Sequence, residues 1–163
     1  MKKILIAVDG SKESIFALKE YMEKIHNEDK YAVVIHCAHY SISNPEELSI
    51  TRDDAQTIKD ILQKDEQRML ALTEDLKRLL KENNIPGEVV RLEGKPESAI
   101  ISKAEELDAS LIVMGSRGLG TIRRTILGSV SEYVLHHSHI PVMVCKCESN
   151  NSTEKNESRD LII

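Results

Sequence analysis

The chain has 163 residues, with 27 acidic against 22 basic side chains and a formal net charge of -5 at pH 7. This length fits one domain, large enough to bury about two thirds of its unfolded surface without disulfide help. The acidic balance, with a pI near 5.7, excludes a global attraction to nucleic acid or to anionic membrane, because such binding needs clustered Lys and Arg.

The chain also shows no signs of secretion or of a membrane span. It has no apolar run of about 18 residues, and Met-Lys-Lys leads directly into a short strand and not into a signal peptide. Its three cysteines, an odd number, do not make a disulfide framework. We therefore expect a cytoplasmic protein with neither a membrane nor a nucleic acid as partner.

Apolar, β-branched segments alternate with helical patterns along the chain. Strands are predicted over residues 3–8, 32–38, 88–92, 111–114 and 141–145. Apolar residues at helical spacing predict helices over residues 15–25, 58–80, 99–107 and 130–134. This alternation predicts an α/β fold, in which parallel strands are joined by right-handed crossovers and helices cover both faces of the sheet.

Two segments depart from this alternation. Residues 40–54 lack clear periodicity and are predicted to form a mobile loop within the domain. Residues 148–160 are almost wholly polar and cannot bury enough apolar area to order themselves. The prediction is therefore one domain over residues 1–147, followed by a flexible tail over residues 148–163.

Four of the seven glycines lie close together after the fourth predicted strand: Gly115, Gly118, Gly120 and Gly128. A glycine-rich turn between the end of a strand and the start of a helix presents backbone N–H groups to an anion. Ser129 and Glu132 have the spacing of a helix capping box. The Ser129 hydroxyl therefore has two interpretations, as a phosphate ligand or as a helix cap.

Other nucleotide motifs do not fit. Gly115 and Gly120 match the glycines of a Walker A loop, but Thr121 and Ile122 stand where its Lys and its Ser or Thr belong. Without that lysine, fast ATP hydrolysis is not implied. The first strand is not followed by Gly-x-Gly-x-x-Gly, which disfavours a dinucleotide.

The glycine spacing resembles the nucleotide-binding signature of the universal stress protein family. Two positions separate Gly115 from Gly118, nine separate Gly118 from Gly128, and Ser129 follows directly. The segment from Ile4 to Ser11 and the last strand, from Pro141 to Cys145, resemble the first and last strands of that family. The resemblance covers about residues 1–147 and implies a single Rossmann-like, adenine nucleotide alpha hydrolase-like domain with five parallel strands in the order 3-2-1-4-5.

The resemblance also implies an adenine nucleotide, ATP first, with Mg²⁺. It assigns nucleotide contacts to residues at the ends of three strands and at the start of the last helix: Ala7, Val8, Asp9, Ser11, Cys37, Met114, Gly115, Ser116, Arg117, Gly118, Gly128, Ser129, Val130 and Ser131. Asp9 would contact Mg²⁺ or a ribose hydroxyl, and the alternative is that Asp9, Gly10 and Ser11 only form a turn and a helix cap. His36 is interpreted as a satisfied strand residue and not as a base.

The function implied is that of a nucleotide-dependent stress-response regulator, at most a weak ATPase with no catalytic residue assigned, and a homodimer through the last strand. The alternatives are a nucleotide hydrolase or transferase on the same fold, a sensor of AMP or a cyclic nucleotide, and an interaction module without nucleotide. Apart from the glycine motif, histidines and cysteines cluster near the last strand: His136, His137, His139, Cys145 and Cys147. Solvated histidines at a helix end are a plainer interpretation of this cluster than a metal site.

Overall fold

A computed structural model describes residues 1–37, 52–118 and 127–147, without the side chains of residues 52–58 and 61. Its elements in chain order are β1 Lys2–Ala7, α1 Lys12–Glu20, a π-helical turn Tyr21–Ile25, β2 Lys30–Cys37, α2 Arg52–Glu82, β3 Gly87–Leu92, α3 Pro96–Glu106, β4 Leu111–Gly115, α4 Ser129–His137 and β5 Val142–Cys145. Strand and helix alternate as the apolar pattern predicts.

The strands form one parallel sheet with the order β3-β2-β1-β4-β5. The predicted order is therefore confirmed. Ala7 at the end of β1 is level with Ile35 of β2 and with Met114 of β4. The carboxyl ends of β1 and β4 consequently lie side by side in the middle of the sheet, where α/β proteins bind their ligands.

Helices cover both faces of the sheet. Successive strand side chains point to opposite faces, so each central strand contributes to an apolar cluster on either side. On one face Ile6 and Val34 pack with Leu18 of α1 and Leu76 of α2. On the other face lies a second apolar cluster, to which the central strands and the helices α3 and α4 contribute: Leu5, Val33, Ile112, Ile100 and Val134. Near-continuous apolar strands of this kind are typical of a parallel sheet covered on both sides.

Some predicted boundaries are wrong by one or more residues. β1 ends at Ala7, which leaves Val8 in the following turn, and β5 begins at Val142 because Pro141 has no N–H for the ladder. α2 begins at Arg52, so residues 52–54 of the predicted loop are helical. The rest of that loop, residues 40–51, and the predicted tail 148–163 lie outside the described residues.

The longest helix of the described part of the chain is α2, with 31 residues. Within the described ranges, no helix combines enough length with enough apolar character to cross a membrane.

Candidate functional site

Two chain segments meet at the carboxyl edge of the sheet. The turn from β1 to α1 carries Asp9 and Ser11, and the segment that leaves β4 carries Ser116 and Gly118. A Cβ atom placed on Gly118 would lie 2.3 Å from Asp9 Oδ2, so the Asp9 carboxylate rests directly against this glycine. The structure therefore brings together the acidic turn and the glycine motif that the sequence predicts as one site.

The β1–α1 turn is held by hydrogen bonds among its own residues. Asp9 Oδ1 accepts from Ser11 N at 2.9 Å, and Ser11 Oγ accepts from Ser14 N at 3.2 Å as the N-cap of α1. Ser14 Oγ donates to Ser11 O at 3.0 Å and lies 3.3 Å from Asp9 N, which donates to it. These contacts are those of the turn-and-cap alternative, and a nucleotide contact by Asp9 or Ser11 stays a prediction.

Gly115 has a packing role that its place in the motif does not reveal. A Cβ atom there would lie 2.7 Å from the carbonyl carbon of Glu13, 2.8 Å from its oxygen and 2.9 Å from Ser14 N. Real Cβ atoms essentially never come so close to backbone. Gly115 therefore allows the first turn of α1 to lie directly on the end of β4.

The capping-box interpretation of Ser129 is wrong. Gly128 is the N-cap of α4, with φ -78° and ψ 156°, and Ser129 is the first helical residue. A residue at the first helical position points its side chain away from the free N–H groups that a cap would satisfy. The Ser129 side chain is exposed, which keeps the phosphate-ligand interpretation open.

The hydroxyl that bonds to backbone in this region belongs to Ser131. Its Oγ lies 3.1 Å from Ser116 O and 2.9 Å from Gly128 O. Gly128 N also donates to Ser116 O at 2.7 Å. The end of β4 and the start of α4 are thus joined directly.

The remaining candidate residues of these segments differ in what they can offer a ligand. Met114 and Val8 are buried in the two apolar clusters, and Val130 packs against one of them, so these three can offer only backbone groups. Ala7 is half-buried and packs against the same apolar cluster as Val130. Arg117 is also half-buried and directly precedes Gly118. Residues 119–126 of the glycine segment, which include Gly120, Arg123 and Arg124, lie outside the described residues.

Cys37 ends β2 beside the β1–α1 turn, at the same edge of the sheet. Burial, with a smaller contribution from Glu97, raises the pKa of its thiol to about 11. The thiol therefore stays protonated near neutral pH, and a thiol in that state is a poor nucleophile. Its backbone groups and its apolar surface are what this residue can present to a ligand.

His36, one residue earlier, points into the core and is 1% exposed. Its Nε2 lies 2.8 Å from Thr73 Oγ1, and the Thr73 hydroxyl donates its one hydrogen to Met69 O at 2.9 Å. Thr73 therefore accepts from Nε2–H, which leaves Nδ1 as a buried acceptor with no partner among the described residues. The sequence predicts that His36 is a strand residue with its hydrogen bonds made, and the structure shows such a bond at Nε2 but not at Nδ1.

Charge near His36 comes from Arg91, its register partner on β3. Two guanidinium nitrogens of Arg91 donate to the Glu66 carboxylate of α2 at 2.6 and 2.7 Å. Burial, and after it the positive charge of Arg91, lowers the pKa of His36. His36 is therefore neutral near pH 7, since its Nδ1 lies in a site that disfavours a second proton.

This histidine makes stability depend on pH with a definite sign. In the unfolded chain a histidine takes up a proton near pH 6.5, whereas folded His36 does so only at lower pH. The unfolded state therefore binds more protons, and stability falls as the pH falls from about 6.5 through the lowered pKa. Urea unfolding of the wild type and of His36→Gln at about pH 8 and about pH 5.5 should show a smaller loss in the variant. Equal losses would contradict this assignment.

No group of three or more His, Cys, Asp or Glu side chains within residues 1–37, 52–118 and 127–147 could hold a metal ion. In the predicted cluster of histidines and cysteines, His137 Nδ1 instead bonds to Tyr133 O at 2.8 Å, and the two rings stack with centroids 3.9 Å apart. Both histidines of the last turn of α4 are exposed. These histidines therefore fit the interpretation as solvated side chains at a helix end. At Asp9, Mg²⁺ would need further ligands from a bound phosphate.

This edge of the sheet has features that favour an anion. The helices α1 and α4 both begin here, and their first N–H groups carry the positive ends of the helix dipoles. Two residues that hold this region together are not predicted from the sequence: Ser14, which bonds within the β1–α1 turn, and Thr73, which bonds to His36. A serine three residues after an N-cap serine gives a weak local signal, whereas the link between Thr73 and His36 spans 37 positions and gives none.

Comparison with known proteins agrees with this architecture. The model of the universal stress protein family matches residues 1–146. Universal stress protein MJ0531 of Methanocaldococcus jannaschii is 33% identical over 147 residues, which cover 89% of this chain and 82% of that protein. Universal stress protein YxiE of Bacillus subtilis is 28% identical over 145 residues, 88% of this chain and 98% of that protein.

Solved structures share the fold. A universal stress protein family protein from Arabidopsis thaliana, solved with AMP bound, has a TM-score of 0.65 and 20% identity, over 94% of this chain and 96% of that chain. A universal stress protein in complex with cAMP has a TM-score of 0.61 and 20% identity, over 89% and 96% of the two chains. At such identities the likeness establishes the fold.

Proposed function

Because the chain belongs to the universal stress protein family, we propose that it binds an adenine nucleotide at the carboxyl edge of β1 and β4 and acts as a nucleotide-dependent regulator of the stress response. The observation that carries this proposal is the junction of Ser116, Gly128 and Ser131 beside the Asp9 turn. This junction joins the end of β4 to the first turn of α4, and the N–H groups of a first helical turn have no partner within the helix. Two proteins of the same fold, solved with AMP and with cAMP, support an adenine ligand.

The phosphates would lie at the start of α4. Here Ser129 is exposed, and the first N–H groups of the helix have no partner within it. The Arg117 Cα would lie 3.4 Å from a Cβ placed on Gly128, close enough in space for this residue to offset negative charge. The adenosine part would lie over Val8 and Asp9, toward the end of β2 at Cys37. The ligand we propose first is ATP, with Mg²⁺ between its phosphates and Asp9, since a carboxylate beside a polyphosphate needs a cation or a hydroxyl donor.

Turnover is proposed to be slow or absent. The two residues of β2 that could act as base or nucleophile are unsuited to it, because His36 is buried and hydrogen-bonded to Thr73, and the Cys37 thiol stays protonated. The sequence also lacks the P-loop lysine, with Thr121 and Ile122 in its place. A regulator that reads the bound nucleotide fits these residues better than a hydrolase or transferase does.

The proposal includes a homodimer and a cytoplasmic location. β5 is the edge strand of the sheet next to β4, and Val142, Met143 and Val144 are half-buried there. An apolar edge strand offers unpaired backbone groups to a second strand. The molecular mass in solution, measured by sedimentation, distinguishes one copy from two.

The first experiment identifies the ligand. Freshly purified protein is denatured and any released nucleotide is identified by mass spectrometry, and the wild type is then titrated calorimetrically with ATP, AMP, cAMP and adenosine, with and without Mg²⁺. We expect ATP in the released fraction or the highest affinity for ATP. A wild type that releases no nucleotide and takes up none of the four would refute the proposal and favour an interaction module.

A matched pair of variants locates the phosphate site. Ser129→Ala removes the exposed hydroxyl at the first position of α4, and Ser102→Ala removes an exposed hydroxyl from α3, away from the site. We expect Ser129→Ala to weaken ATP binding about tenfold, the loss of one hydrogen bond to a charged group. Ser102→Ala should bind as the wild type does, and equal affinities of the two variants would contradict the proposed phosphate position.

A further inference from the structure

The Ser131 hydroxyl is buried and hydrogen-bonded to backbone. Ser131 is 3% exposed, whereas Ser129, two residues earlier in the same helical turn, is exposed. Its single hydrogen is shared between two carbonyl oxygens, Ser116 O at 3.1 Å and Gly128 O at 2.9 Å. A hydroxyl that is buried and occupied in this way holds two pieces of backbone together.

The backbone that it holds is anchored on both sides. Ser116 N donates to Cys145 O of β5 at 2.8 Å, which fixes the chain as it leaves β4. Glu132 N donates to Gly128 O at 2.9 Å, which is the first turn of α4. The Ser131 hydroxyl therefore ties the sheet to the start of the helix at the point where the chain segments of the proposed site meet.

The same two carbonyl groups keep other donors when the hydroxyl is removed. Ser116 O accepts from Gly128 N at 2.7 Å, and Gly128 O accepts from Glu132 N. Removing the hydroxyl thus leaves neither carbonyl unpaired, so the large penalty for an unsatisfied buried polar group does not arise. What changes is how firmly the start of α4 is set against the end of β4.

We propose that Ser131 is a positioning residue of the nucleotide site, whose hydroxyl fixes the start of α4 against the end of β4 and so orients the N–H groups of the first turn of α4 toward one phosphate. This inference rests on the proposed function and changes the role that the sequence predicts for Ser131, from ligand to support. A preorganised set of donors binds a phosphate more tightly because it need not be ordered on binding. The adenosine part of the ligand does not depend on this junction.

The test compares phosphate-dependent with phosphate-independent binding. Dissociation constants for ATP and for adenosine are measured for the wild type, Ser131→Ala, the conservative Ser131→Thr and the control Ser138→Ala. Ser138 lies at the other end of α4, where its hydroxyl bonds to Ile140 O at 3.0 Å. We expect Ser131→Ala to weaken ATP binding about tenfold with adenosine binding unchanged, Ser131→Thr to restore it, and Ser138→Ala to have no effect.

Amide hydrogen exchange on the nucleotide-free protein separates positioning from direct ligation. Removal of the hydroxyl should speed exchange at Gly128 N in Ser131→Ala, since the junction that protects it opens more often. Weaker ATP binding with unchanged exchange would instead make Ser131 a direct ligand and overturn the inference. An equal loss of ATP and adenosine affinity would also overturn it, because that pattern indicates general structural damage.

The failure of the proposed function has a different signature. A wild type that binds neither ATP nor adenosine would overturn the proposed function and this role of Ser131 together. A wild type that prefers ATP to adenosine, with a Ser131→Ala variant of the same preference, would overturn the role of Ser131 alone.

Discussion

Gly115→Ala is expected to lower the free energy of unfolding by about 2 to 3 kcal/mol, at the upper end of what overpacking costs. The added Cβ would lie within 2.9 Å of three backbone atoms of α1, which belong to Glu13 and Ser14. Backbone atoms cannot rotate away as a side chain does, so α1 must move off the end of β4. For a domain of this size the change corresponds to a fall in the melting temperature of roughly 4 to 12 °C.

Gly128→Ala is the matched control, since it makes the same change in the same motif. There the added Cβ meets Arg117 Cα at 3.4 Å and the other neighbours at 3.6 Å, and the N-cap dihedral angles suit any L-residue. Thermal unfolding should therefore show a smaller loss, of less than about 1 kcal/mol, from the poorer capping of alanine. Equal losses for the two variants would contradict the larger steric cost argued for a Cβ at Gly115.

Tyr21→Ala is expected to cost about 3 to 5 kcal/mol, the range for truncating a large buried aromatic side chain. Among the fully buried residues of the described ranges, Tyr21 has the largest side chain, and it lies in the apolar cluster under α1 and α2. It begins the π-helical turn, where its ring packs edge-on against His26. The cavity left by alanine would lie within that apolar cluster, to which β1, α1 and α2 contribute.

Tyr21→Phe separates packing from hydrogen bonding at this position. The phenol oxygen lies 2.9 Å from His26 Nδ1, and burial raises the pKa of Tyr21 to about 12, so the hydroxyl is neutral at physiological pH. Losing this one hydrogen bond should cost about 1 kcal/mol in urea unfolding. A phenylalanine variant that is destabilised as much as the alanine variant would place the stabilisation in the hydroxyl and contradict the packing argument.

The sequence predicts the sheet well because its strands have strong signals. Val33, Val34 and Ile35 form a continuous apolar run of the kind that a strand buried on both faces requires, and the structure buries all three. Predicted ends are less accurate, as at Val8 and Pro141, since the end of a strand depends on the neighbour with which it pairs. The order of the strands came from the resemblance of the glycine motif and the flanking strands to a family, and not from the pattern of any one strand.

The sequence predicts which segments meet at the carboxyl edge of the sheet and only part of the contacts between them. The spacing of Gly115, Gly118 and Gly128 locates the segment, and the sheet order brings Asp9 to it. The spacing of Ser129 and Glu132 suggested that Ser129 is the N-cap of α4, whereas the N-cap is Gly128. The same residues fit a helix with Ser129 as its N-cap and a helix that begins one residue earlier, at Ser129 itself. Local sequence therefore does not distinguish the two.

The sequence by itself determined the class of this fold, the location of the glycine segment at the end of a strand and the absence of a P-loop lysine. These features depend on residue type and on spacing along the chain, which local backbone preferences convert directly into structure. Tertiary structure alone decided three matters: the contact of Gly115 with α1, the bond of His36 to Thr73, and the link from Ser131 to Ser116. Each joins atoms that are far apart along the chain, and their distance is set by how strands and helices pack together, which no local pattern records.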